Sequence, residues 1–253
     1  MFRPARYVAL SLLLVAGAPS GQGEPPYDVV LLGGRVVDGT GAAWHLGDVA
    51  IRDGRIARVV PAGFLNNAAA KARFEVHGLV VAPGFIDIQS HSRGPLLSGD
   101  GRVVSKITQG ITTEIMGEGW TNAPANATTQ NASEDSQGDR AEFARPDGFA
   151  RWLDAMERHG AAVNFGSFVG ATTVRSYAKG LHQGAPTPAE LDTMRAVVRR
   201  AMEDGAFGIA SALIYPPAAF ATTEELIELA KAMAPYGGVY ISHIRSEGDH
   251  FLE

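Results

Sequence analysis

The sequence predicts an α/β protein in which a small β-sandwich is followed by a partial (β/α)8 barrel of about five strands. Three observations carry this expectation. Between Tyr27 and Ala82, short apolar runs are separated by glycine-containing breaks, with no helical spacing. After Pro83-Gly84 the apolar runs alternate with amphipathic stretches, the β-α-β order of a parallel sheet. Glycine and proline, 30 and 14 of 253 residues, break the chain about once in six positions, which suits many short elements better than a helical bundle.

In chain order, Arg3 and Arg6 come first, then an apolar run from Tyr7 to Val15, then Ala16-Gly17-Ala18. A positive start, a short apolar stretch and small residues at the cut predict a secretory signal peptide over residues 1–23. The run is shorter than the about 20 residues of a membrane span. The expectation is an exported protein, periplasmic or extracellular, with no stable membrane span once the leader is removed. Residues 27–82 then form the sandwich, with strands at 29–32, 35–37, 49–52, 56–60, 74–76 and 79–81. Gly33-Gly34, Asp53-Gly54 and His77-Gly78 punctuate them, and Asp53-Gly54 between two apolar runs is a hairpin signal.

Residues 83–253 carry five strand candidates, at 85–89, 112–116, 162–169, 207–213 and 239–244. Phe149, Trp152, Leu153 and Met156 recur at helical spacing, with Asp147 as N-cap and Gly160 as stop. Thr187, Pro188 and Glu190 give a capping box for a helix carrying Leu191, Met194, Val198 and Met202, ended by Gly205. Thr222 and Glu225 repeat the box ahead of Leu226, Leu229, Ala230 and Met233. Residues 120–145 are polar and aperiodic and read as a long functional or mobile loop. A complete eight-stranded barrel needs roughly 100 further residues, so the chain is expected to be the N-terminal portion of a longer protein.

Composition removes several functions. Twenty-two Lys and Arg against 27 Asp and Glu leave a net charge of −5 with no basic run after the first residues, so no nucleic-acid partner is expected. The absence of cysteine excludes disulfides, thiol catalysis and cysteine-based metal sites.

The chemistry-bearing run is Pro83-Gly84-Phe85-Ile86-Asp87-Ile88-Gln89-Ser90-His91. Strand side chains repeat every two residues, so Gln89 and His91 share a face at the strand's C-terminal end, the active-site end of such barrels. The run resembles the first strand of the amidohydrolase superfamily, Pro-Gly-Phe-Ile-Asp followed by His-x-His, except that Gln89 stands where the first metal-binding His belongs. Further stretches are Gly110-Ile111-Thr112-Thr113, Met116-Gly117-Glu118-Gly119, Ala206-Phe207-Gly208-Ile209, Leu213-Ile214-Tyr215-Pro216, Phe220-Ala221-Thr222-Thr223-Glu224-Glu225-Leu226 and the run from Tyr240 to Asp249. Together they resemble the N-acyl-D-amino-acid deacylases (D-aminoacylases) from Tyr27 to the last residue.

That resemblance implies zinc-assisted hydrolysis of a non-peptide amide C–N bond in a small N-acyl amino acid, with one or two Zn2+ ions. His91 and His243 match metal ligands. Glu118 takes the place of a metal-binding Cys if one residue is skipped; a carboxylate can bind zinc, and a solvated strand-end acid is the alternative. Tyr215, Arg245 and Glu247 are the candidate substrate-binding residues, with aromatic packing and an ordinary ion pair as the plain alternatives. The family's general-base Asp is expected beyond Glu253, so residues 1–253 alone are expected to be inactive. Two other functions stay open: a non-catalytic binding protein on a degenerate amidohydrolase fold, and a cyclic amidase or dihydroorotase-like hydrolase.

Overall fold

A computed structural model of the chain describes residues 26–132 and 141–252. The predicted signal peptide lies outside them. The chain divides into two units, after Pro83.

The first unit holds β1 (Tyr27–Val36), β2 (His45–Arg52), β3 (Arg55–Pro61), β4 (Ala70–Glu75) and β5 (Val80–Val81). They form one mixed, sandwich-like sheet in the order β3-β2-β1-β4, with β5 also paired to β1. The β2–β3 hairpin turns at Asp53-Gly54, whose φ values of 52° and 69° are the two positive angles of the turn that asparagine or aspartate before glycine favours. Gly33-Gly34 does not end a strand as its composition suggests. β1 runs through it as an irregularity in the β2 register, and the buried Asp48 carboxylate accepts from Gly33 N at 2.9 Å and from Leu65 N at 3.0 Å. Tyr27, Val30, Leu32, Ala50 and Leu65 make this unit's core.

The second unit holds β6 (Phe85–Ser90), α1 (Arg93–Leu97), α2 (Val104–Ile107), β7 (Ile111–Met116), α3 (Ala127–Ala132), α4 (Gly148–His159), β8 (Asn164–Ser167), β9 (Val169–Gly170), α5 (Ala171–Lys179), α6 (Pro188–Glu203), β10 (Gly208–Ala212), α7 (Thr223–Met233) and β11 (Val239–His243). All its strand pairs are parallel, in the orders β6-β7-β8 and β9-β10-β11. Only Phe168 separates β8 from β9, so one strand passes from the first sheet to the second and gives a five-strand wall of barrel type, each strand close to its predicted place. Parallel pairing puts the C-terminal ends of β6, β7, β10 and β11 at one mouth.

Helices cover the wall's outer side over a core that includes Leu96, Met116, Trp152, Met194, Ile209 and Leu229. Burying each large apolar side chain contributes about 1.5–3 kcal/mol. The capping box of α6 is complete: Thr187 accepts from Glu190 N, and Glu190 accepts from Thr187 N. Two expected caps differ. Asp147 precedes α4 without capping it and pairs with Arg151 instead. Thr222 caps α7 by accepting from Glu225 N, but the Glu225 side chain turns away to a fully buried ion pair with Arg175 of α5. Burial pushes the Glu225 carboxyl above the ordinary carboxylate range, and Arg175 draws it partly back.

The start of the stretch 120–145 packs against the barrel unit. Thr121, Asn122, Ala123, Ala125 and Thr129 are buried, and Thr121 N donates to Thr173 Oγ1 at 2.8 Å. Among the described residues no helix is long and apolar enough to cross a membrane.

Candidate metal centre

The site is built around Glu118. Gly117 lies at φ 102°, and a Cβ there would stand 2.2 Å from the Phe168 carbonyl oxygen, so only glycine lets the chain leave β7 this closely against the strand break at Phe168. On the other side, the Gly119 carbonyl accepts from Thr172 N at 3.0 Å and Thr173 N at 3.3 Å, tying the turn to the start of α5. Glu118 is therefore held at both shoulders, and its side chain is 8% exposed.

Both Gln89 and His91 reach this carboxylate. Gln89 Nε2 donates to Glu118 Oε1 at 2.8 Å, and His91 Nε2 stands 3.2 Å from Glu118 Oε2. The register of β6 on β7 slips between Asp87 and Ser90, a bulge that re-aims the strand end. Asp87 pins the bulge by accepting from Gln89 N at 3.0 Å and from Lys106 Nζ at 2.5 Å. Burial raises the Asp87 carboxyl, but these two donors outweigh it and hold the group below the usual range.

The neighbouring strand ends hold the other candidates. Ala212 of β10 pairs in register with His243 of β11, and a Cβ on Gly119 would stand 2.9 Å from Ala212 Cβ. The Glu118 turn thus abuts the strand that carries His243 alongside. His243 is 17% exposed; its Nδ1 lies 3.3 Å from the Ile244 carbonyl oxygen and its Nε2 lies 3.4 Å from Glu247 Oε1. An Nδ1–H tautomer donates to that carbonyl and leaves the Nε2 lone pair for another partner. The Tyr215 ring leans on the His243 ring at 5.5 Å between centroids while remaining largely exposed. Arg245 donates to the carbonyl oxygens of Ala221 at 2.6 Å and Ala219 at 3.4 Å, strapping the loop that follows Tyr215.

Two donor pairs result, His91 with Glu118 and His243 with Glu247. Among the described residues no group of three His, Cys, Asp or Glu side chains lies close enough to hold a metal ion. The sequence reading missed two contributors: Gln89 as a donor to Glu118, and the glycines that fix Glu118. The Gly117-Glu118-Gly119 pattern was the available signal for the second.

No protein-family profile matches the chain. A D-aminoacylase of Alcaligenes xylosoxydans xylosoxydans is 40% identical over 230 residues, which are 90% of this chain and 46% of that protein. The chain belongs to the N-acyl-D-amino-acid deacylase family of the amidohydrolases. The fold agrees. A D-aminoacylase structure concerned with a binuclear metal centre matches this deacylase-family chain with a TM-score of 0.79 at 38% identity, covering 89% of this chain and 47% of that one. An N-acyl-D-glutamate deacylase from Bordetella bronchiseptica, complexed with zinc and a phosphonate inhibitor, matches with a TM-score of 0.78 at 33% identity, covering 89% and 46%. The chain spans about half the length of the relatives it matches.

Proposed function

We propose that the whole protein is a zinc-dependent deacylase of N-acyl-D-amino acids. The observation that carries this reading is the His91–Glu118 pair at the mouth of a deacylase-family barrel wall. Two ligands about 2.0–2.2 Å from a tetrahedral zinc ion lie about 3.3 Å apart. The 3.2 Å between His91 Nε2 and Glu118 Oε2 is close to that edge, and an imidazole nitrogen with a carboxylate oxygen is a donor set zinc accepts. The donors present fit the ion, as two of its ligands.

When bound there, zinc supplies Lewis acidity toward the amide carbonyl and a water of lowered pKa. The chain's own residues do the rest. Gln89 fixes the Glu118 carboxylate, and Glu118 and His91 would hold the ion. His243 presents Nε2 from the neighbouring strand end. Tyr215, exposed beside it, offers a phenol hydroxyl to a substrate carbonyl or carboxylate, while Arg245 positions the loop after Tyr215 and is assigned no direct contact with substrate.

The test is release of free amino acid from N-acetyl-D-amino acids by the whole protein. We expect turnover that a chelator removes and added zinc restores; no release from the zinc-loaded protein contradicts the reading. We further propose export after removal of residues 1–23, on the Arg3/Arg6 start and the apolar run that follows. Mass spectrometry of the protein from its own host should find an N-terminus between Pro19 and Tyr27, and an intact Met1 on the mature protein would contradict it.

A further inference from the structure

We propose that the buried carboxylate of Glu114 is a positioning residue for His91, acting through Ser90. The inference rests on the reading of His91 as a zinc ligand and deepens it. The His91 side chain is 66% exposed, so packing does not fix the ring and its place is set by the backbone that carries it. That backbone is tied from behind by β7. Ser90 Oγ donates its one hydrogen to Glu114 Oε2 at 2.6 Å, which leaves the Ser90 lone pairs for the chain just beyond His91. There Ser90 Oγ accepts from Ser92 N at 3.2 Å, with Ser92 Oγ also 3.2 Å away. His91 is thus the tip of a closed turn, and Glu114 holds the oxygen on which the turn closes.

Two features set this tie apart from ordinary core packing. Glu114 is fully buried within β7, and its Oε1 has no hydrogen-bond partner among the described residues. A buried acceptor left unpaired lowers stability, so an acid here is less favourable to the fold than an apolar residue of similar size. Ser92 stands at the N-cap of α1, where a serine side chain ordinarily caps, yet it makes no such bond. Its hydroxyl lies beside Ser90 instead. Both residues forgo local stabilisation, and what they hold in common is the 90–92 turn. Asp87 pins the other side of the β6 bulge through Gln89 N, so the arc from Gln89 to His91 is fixed at both ends. His91 Nε2 is thereby kept 3.2 Å from Glu118 Oε2.

The experiment measures the zinc affinity of the whole protein by competition with a chromophoric chelator, together with the melting temperature of the zinc-free form. It compares the unsubstituted protein with Glu114→Val, Glu114→Gln and Ser90→Ala. Valine suits a strand and removes the unpaired oxygen, but it cannot accept from Ser90. We expect Glu114→Val to melt no lower than the unsubstituted protein and to bind zinc about 10-fold more weakly, the low end of the effect of losing a group that orients a ligand. Glu114→Gln, whose amide oxygen still accepts from Ser90, should stay within about twofold of the unsubstituted affinity. Ser90→Ala should lose the same affinity as Glu114→Val, and combining the two should lose nothing further, because both cut one connection. Unchanged zinc affinity in Glu114→Val, a Glu114→Gln as weak as Glu114→Val, or additive losses in the double variant each overturns the inference. A Glu114→Val that melts lower or does not fold also overturns it, since the carboxylate would then support the barrel rather than the turn. These outcomes leave the zinc-dependent function standing, whereas no bound zinc in the unsubstituted protein overturns both.

Discussion

On the proposed reading, replacing Glu118 by alanine should lower kcat/KM of the whole protein on an N-acetyl-D-amino acid by about 10³-fold, because a zinc ion held there would contribute several kcal/mol of transition-state stabilisation. The same change should lower retained zinc and leave the far-ultraviolet spectrum intact, since the Glu118 side chain belongs to no apolar core. Glu118→Gln separates shape from charge. It keeps the volume, loses the ionised oxygen facing His91, and should behave like alanine in zinc content. Steady-state kinetics with metal analysis of the same preparations checks this, and activity within tenfold of the unsubstituted protein in either variant would remove Glu118 from the site.

The second large effect is on stability. Arg175→Met should destabilise the barrel unit by about 3–5 kcal/mol near neutral pH, because it strands the buried Glu225 carboxylate without its partner. The pH dependence has a definite sign. Burial raises the Glu225 pKa above its unfolded value, so the folded chain holds that proton more tightly. Stability from this titration is fully present below the unfolded pKa and is lost as pH rises through the folded one. Without Arg175 the largest opposing pull is gone, Lys179 and Arg245 remain, and the folded pKa climbs further. The variant's deficit should therefore shrink in mild acid and grow toward neutrality. The double variant Arg175→Met/Glu225→Met, which removes both charges, should recover most of the loss. Urea unfolding at two pH values checks all three, and a deficit independent of pH would mean that lost packing, and not a stranded charge, is the cause.

That same pair explains why α5 could not be read from the sequence. The five barrel strands and helices α4, α6 and α7 were legible because each has an apolar period and a boundary residue that physics favours there. In α5 the buried residues are Ala171, Thr172, Thr173, Val174, Arg175 and Ser176, so four of the six are polar and the inward face carries a weak hydrophobic signal. Its polar contacts include Thr173 with the Thr121 backbone and Arg175 with Glu225, partners that are distant in sequence. Gly33-Gly34 misled for a related reason: the Asp48 carboxylate that supports the irregularity in β1 lies across the sheet, on β2. The site was legible in part. Strand alternation placed Gln89 and His91 together, and both do reach Glu118, but through a bulge that no local residue announces. Gln89 stood out in the sequence as a missing ligand, while its hydrogen bond to Glu118 is visible only once β6 and β7 are paired. Arg245 could not be assigned to the Ala219 and Ala221 carbonyls beforehand, because backbone acceptors carry no sequence signature.

The most direct test of the central claim is the hydrolysis assay, run beside a binding measurement on the same zinc-loaded whole protein. Matched D and L isomers of an N-acetyl amino acid should be separated by it. The expected result is release of free amino acid from the D isomer, abolished by a chelator and recovered on adding zinc. A zinc-loaded protein that binds the D isomer and releases nothing would contradict it, and would identify a binding protein on the deacylase fold.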